Sequence, residues 1–143
     1  MNIALVFPGQ GSQSVGMGKD LFSAFSSAKE VFEEVNDALS ENLSDLMFNG
    51  SADELNLTCN TQPAVMAVSI AVLRILEKEA GFSLKNNKVL FAAGHSLGEY
   101  SALCAAGSLS LADTARLLRT RGKAMQEAVP VGVGGMISLI GAE

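Results

Sequence analysis

Gly94-His95-Ser96-Leu97-Gly98-Glu99-Tyr100 constrains this chain more than any other stretch. The apolar, charge-free run Val89-Leu90-Phe91-Ala92-Ala93 leads into it, and the helix-compatible run Ser101-Ala102-Leu103-Cys104-Ala105-Ala106 leads out. The segment predicts a strand, a tight turn and a helix. Gly94-x-Ser96-x-Gly98 is the pattern of a nucleophile elbow, in which a serine on a strained turn is pushed into the open. Backbone must pack closely around such a turn, so a Cβ at position 94 or 98 would crowd it. The helix that starts there aims free backbone N–H groups at whatever the serine attacks. The alternative is an ordinary strand-to-helix turn whose glycines only relieve backbone strain.

The 143 residues suffice for one domain core, and 48% of them are hydrophobic. A charged fraction of 17% and a net charge of −5 argue against a nucleic-acid binder, which would present a basic face. Fourteen glycines against three prolines suit tight turns and not disorder. Cys59 and Cys104 lie far apart without metal-like spacing and read as reduced core thiols of a cytoplasmic protein. Met1 to Phe7 is apolar but lacks the basic start of a secretion signal, and Pro8-Gly9 cuts it short. The longest apolar helix candidate contains Ser69 and Arg74 and is expected to be too short to span a bilayer.

From the N-terminus, Ile3-Ala4-Leu5-Val6-Phe7 predicts a strand buried on both faces, as in parallel sheets. The polar loop Gln10-Gly11-Ser12-Gln13-Ser14 follows at its C-terminal end, where open α/β sheets bind ligands. Phe25, Ala28, Phe32, Val35 and Leu39 mark the apolar face of a surface helix, with Lys29, Glu30, Glu33, Glu34 and Asp37 opposite. Leu43 to Leu57 predicts a loop with short helical pieces. Asn60-Thr61-Gln62-Pro63 opens a second helix with Pro63 in its first turn, apolar nearly all round from Ala64 to Leu76 and ending at Gly81. Lys85 to Lys88 is a polar turn into the elbow strand. Gly107 closes the elbow helix, and Ser110 with Asp113 opens another, running to about Glu127, as a near capping box. Leu111, Ala115, Leu118, Gly122 and Met125 form its apolar stripe. Arg116, Arg119, Arg121 and Lys123 read as a solvated basic face near its C-terminus. Pro130 and Gly132, Gly134 and Gly135 form a hinge-like run before an apolar strand, Met136-Ile137-Ser138-Leu139-Ile140. That strand has nothing after it to pair with, so the sequence is expected to stop short of the whole protein.

A serine nucleophile needs a base. His95 is the one histidine, and it adjoins Ser96, whose side chain a neighbouring residue usually opposes. His95 is therefore expected to pack or hydrogen-bond behind the turn. In the chain order of α/β hydrolases the histidine comes last, which places the base beyond Glu143.

Four ordered motifs carry a resemblance along the whole chain: Phe7-Pro8-Gly9-Gln10-Gly11-Ser12-Gln13, Asn60-Thr61-Gln62-Pro63-Ala64, the elbow, and Arg121-Gly122-x-x-Met125. Together they resemble the malonyl-CoA:acyl carrier protein transacylases and the related acyltransferase domains of polyketide and fatty-acid synthases. The resemblance implies an α/β-hydrolase-like parallel sheet with covering helices over residues 1–129. Residues 130–143 would be the hinge and first strand of a ferredoxin-like subdomain. It implies Ser96 as the nucleophile, the backbone N–H groups of Gln10 and Leu97 as the oxyanion hole, and Arg121 as the clamp on a substrate carboxylate. A planar guanidinium suits that task because it grips both oxygens. Arg119, two residues away and about 200° round the helix, stays in the solvated face. The implied reaction carries a malonyl group from a coenzyme A thioester to the phosphopantetheine thiol of acyl carrier protein, with no metal or redox cofactor and no nucleic-acid or membrane partner. A serine hydrolase or thioesterase with the same elbow, and a non-catalytic fragment, are the competing readings.

Overall fold

The structure, a computed structural model, describes residues 2–86, 88–130 and 132–134. Its elements run β1 (Ile3–Phe7), α1 (Lys19–Ala24), α2 (Ser26–Leu39), α3 (Leu43–Asn49), α4 (Ala52–Asn56), α5 (Thr58–Glu79), β2 (Val89–Gly94), α6 (Leu97–Ala105) and α7 (Leu111–Ala128). β1 and β2 pair in parallel, with Phe7 opposite Gly94 at their C-terminal ends. This is an α/β arrangement with a two-stranded parallel sheet. The expected final strand at Met136 to Ile140, and the ferredoxin-like subdomain it would open, lie outside the described residues.

Hydrophobic periodicity accounts for the helical layer. α2 buries Ala28, Val31, Phe32 and Val35 against α5 and α7. Phe32 meets Phe22 and Phe48 at ring-centroid distances of 6.0 and 5.4 Å, tilted or edge-on as aromatic quadrupoles prefer. The mixed stretch after α2 does form short helices, and Leu43, Met47 and Leu55 plug into the same core. Gly107 closes α6 with paired bonds, Gly107 N–H to Cys104 O at 3.0 Å and Ser108 N–H to Leu103 O at 2.9 Å. Ser110 caps α7 by accepting from the Asp113 N–H at 3.0 Å. Cys59 and Cys104 are both unpaired thiols. Burial pushes the Cys104 thiol up, against a smaller opposing effect of its hydrogen bond with Thr114, so it serves as a small packing group.

Four expectations need correction. β1 is not buried on both faces: Val6 is 80% exposed, and on β2 Leu90 and Phe91 are also exposed. The run has the composition of a doubly covered strand, but among the described residues α6 is the helix packed on the sheet. α5 begins at Thr58, before Asn60, so Pro63 falls inside the helix and not in its first turn. α5 is also not too short for a bilayer, because its 22 residues rise about 33 Å. By length and composition it could cross a membrane, yet more than half of its apolar window is buried within this fold.

The fourth correction concerns Arg119. Pro63 has no N–H to give the carbonyl of Cys59 one turn earlier. Arg119 supplies the missing donor: its Nη1 reaches Cys59 O at 2.8 Å and also the Asn60 side chain, while Nη2 pairs with Glu41 Oε2 at 2.5 Å. Arg119 is only 8% exposed and is no part of a solvated face. It stands four residues after Ala115 and three before Gly122, both buried, so helical geometry carries it to the α5 side. Arg119→Ala is expected to lower unfolding free energy by about 2–3 kcal/mol, mainly by orphaning the Cys59 carbonyl, since the half-exposed Glu41 can return to water. A urea melt of the variant against wild type measures this, and an unchanged midpoint would mean that water replaces the guanidinium.

Candidate active site

The end of β2 and the start of α6 form the elbow. Ser96 sits between them with φ 55° and ψ −113°, outside the wells open to a residue with a side chain. The turn is tight, with Gly98 N–H donating to His95 O at 2.9 Å. A Cβ on Gly94 would lie 2.1 Å from the Gly98 carbonyl, and one on Gly98 would lie 2.4 Å from Phe7 O. Both glycines are therefore required by sterics, which disposes of simple strain relief as their whole purpose.

Strand pairing carries a second loop to the same place. Pro8-Gly9-Gln10 leaves β1 beside the elbow, and a Cβ on Gly9 would stand 3.1 Å from His95 O. The loop is braced from outside. Ser12 Oγ donates to Gly9 O at 2.9 Å, Gln13 Nε2 to Asn56 Oδ1 at 2.8 Å, and Gln10 Nε2 to Thr58 Oγ1 at 3.4 Å. Among the described residues, neither the Gln10 nor the Leu97 N–H donates to a backbone carbonyl. Leu97 is the first residue of α6, where an N–H has no intrahelical partner. His95 is exposed, with its ring Nδ1 3.2 Å from the position of a Gly9 Cβ. It lies against the loop, and the side-chain partner of Ser96 is a different residue.

That partner is Arg121. Its Nη2 donates to Ser96 Oγ at 2.9 Å and its Nη1 to Gln62 Oε1 at 2.7 Å, with its Cζ 5.7 Å from the Tyr100 ring centroid. The reach across from α7 depends on Gly122. A Cβ there would meet Cys59 Cα at 2.5 Å, so α7 and α5 touch backbone to backbone at this point. Arg119 and Arg121, three and one residues earlier, both bond α5 near this contact, the first at Cys59 and Asn60 and the second at Gln62.

Residues 4–142 match the acyl transferase domain family. The chain belongs to that family. It is 50% identical over 141 residues to the malonyl CoA-acyl carrier protein transacylase of Bacillus subtilis (strain 168), covering 99% of this chain and 43% of that protein. The crystal structure of an acyl-carrier-protein-S-malonyltransferase from Bartonella henselae superposes with a TM-score of 0.87 at 64% identity, covering 92% of this chain and 41% of that one. A malonyl-transacylase in complex with a type II PKS acyl-carrier protein matches with a TM-score of 0.82 at 45% identity, over 91% of this chain and 40% of that one. The chain thus spans well under half the length of these acyltransferase relatives.

Of the residues singled out in the sequence, Ser96, Leu97, Arg121 and the Gln10 loop converge in this acyl transferase chain. Gln62 and Tyr100 were missed as partners of Arg121. The signal was present for Gln62: it adjoins the apolar run that starts at Ala64, and an amide fully buried, as it is here, must find polar partners. It finds Arg121 on Oε1 and the Met125 sulfur, 3.3 Å from Nε2. Tyr100 carried no comparable signal, because an aromatic on the first turn of an apolar helix reads as packing. Among the described residues no cluster of His, Cys, Asp and Glu is arranged to hold a metal ion.

Proposed function

We propose that this chain carries the nucleophile, oxyanion donors and substrate clamp of a malonyl-CoA:acyl carrier protein transacylase. The observation that supports it most is the guanidinium of Arg121, held by buried Gln62 and lying 2.9 Å from Ser96 Oγ. A carboxylate on the acyl group attacked by Ser96 would meet a planar double donor at that spot. A hydrolase of neutral esters has no use for such a donor.

In this reading Ser96 Oγ attacks the thioester carbon of malonyl-CoA and its proton passes to a general base. The N–H groups of Gln10 and Leu97 take the developing oxyanion. Coenzyme A leaves as its thiol, and the malonyl group rests on Ser96 as an ester. The phosphopantetheine thiol of acyl carrier protein then attacks that ester, and Ser96 regains a proton. No step calls on a metal or redox cofactor. In the same reading, residues 1–129 belong to an α/β-hydrolase-like subdomain. The substrates and the two unpaired cysteines suit the cytoplasm.

The test compares hydrolysis of malonyl-CoA with transfer to holo acyl carrier protein. Transfer should dominate in a protein of the relatives' full length that carries this chain, and hydrolysis alone would convert the reading into a thioesterase. The 143-residue chain alone should run about 10²–10⁴-fold slower, the usual contribution of a positioned base. Turnover near that of the longer protein, in material verified by intact mass, would show that His95 or another group here serves as base.

A further inference from the structure

The guanidinium proposed to hold the malonyl carboxylate is hydrogen-bonded to the nucleophile itself. A clamp alone does not require that contact. We infer that Arg121 guards Ser96 and that the carboxylate of the acyl group releases it. This rests on the reading of Ser96 as nucleophile and Arg121 as clamp.

A serine oxygen has one proton and two lone pairs. Attack needs a lone pair, and the proton goes to the base. A permanently charged donor at 2.9 Å occupies one lone pair and lowers the oxygen's readiness to attack. Arg121 is not free to drift into water, because Nη1 is fixed on the fully buried Gln62 and the guanidinium lies near the Tyr100 ring. A carboxylate is the partner that competes best, since it can take two donors of the fork at once and neutralise the charge. A neutral acyl thioester must displace the guanidinium with nothing to offer it. Selectivity then has two sources: affinity of the clamp for the carboxylate, and exposure of the nucleophile once the clamp has turned to it.

The guard is tested with a neutral sulfonyl fluoride, phenylmethanesulfonyl fluoride, in a protein of the relatives' full length carrying this chain. The Ser96 Oγ–S bond forms, the S–F bond breaks, fluoride leaves, and the serine proton passes to the base. Intact mass follows the labelling rate of wild type and Arg121→Ala. Arg121→Ala should label about 10-fold faster or more, the scale of one charge-assisted hydrogen bond. In wild type, saturating acetate should raise the rate relative to matched chloride, and in Arg121→Ala it should not. The acetate arm needs no variant, so it stands even if Arg121→Ala folds poorly. Labelling of Arg121→Ala no faster than wild type, or acetate that slows or leaves unchanged the wild-type rate, would overturn the guard while leaving nucleophile and clamp in place. Labelling as fast in Ser96→Ala as in wild type would instead remove the nucleophile on which it rests.

Discussion

Ser96→Ala, in a protein of the relatives' full length that carries this chain, should abolish covalent loading from radiolabelled malonyl-CoA. Transfer to acyl carrier protein should fall on the order of 10⁴-fold or more, because the elbow from Gly94 to Gly98 holds no other serine, threonine or cysteine to take the acyl group. The expectation comes from geometry. Ser96 is held at a positive φ between two glycines that admit no Cβ, at the N-terminus of α6 and beside the Gln10 loop. Such strain costs about 1–3 kcal/mol and persists only where the surroundings enforce it. A companion variant separates function from strain. Ser96→Gly removes the Cβ that makes φ 55° costly, so it should melt no lower than Ser96→Ala while remaining equally inactive. Label retained on denatured Ser96→Ala protein would mean that another residue carries the acyl group.

How much of this was legible in the sequence depended on how local each cause was. The elbow was readable because its causes lie within a few residues: an apolar strand, two glycines that must lack a Cβ, and an apolar helix. The Ser110 cap and the Gly107 helix end are equally local, and both stand where the residues put them. Arg119 failed because its causes are distant. A proline on α5 frees a carbonyl at Cys59, and an arginine one helix contact away must fill it. Charge patterning sees only a basic residue among basic residues. Its spacing from Ala115 and Gly122 held the correct answer, since a residue between buried neighbours on a helix face is itself buried. The exposure of Val6 and Phe91 was illegible for another reason. Composition reports what a strand is suited to pack against, and pairing decides how many layers cover it.

Arg121→Ala should affect two thioester substrates, malonyl-CoA and acetyl-CoA, very differently. A charge-assisted hydrogen bond contributes roughly 1.5–3 kcal/mol, which is about 10–150-fold in kcat/KM. Malonyl transfer should fall by that factor or more, because the malonyl carboxylate would be left unpaired beside Ser96. Acetyl transfer needs no such partner and should hold steady or rise. A structural complication has to be met directly. Removing the guanidinium also leaves Gln62 Oε1 without its 2.7 Å partner in a fully buried position, which costs about 1–3 kcal/mol of stability. Loss of fold lowers both activities together, whereas loss of a clamp lowers one. Arg119→Ala is the matching control: it is expected to weaken the fold through Cys59 and Glu41 without touching Ser96, so any effect on the two substrates should be equal. The measurement is kcat/KM for malonyl-CoA and acetyl-CoA with both variants, below the melting temperature of each. Equal losses for the two thioesters in Arg121→Ala would reduce that residue to a brace for Gln62, and the partner of the carboxylate would then have to lie on another element.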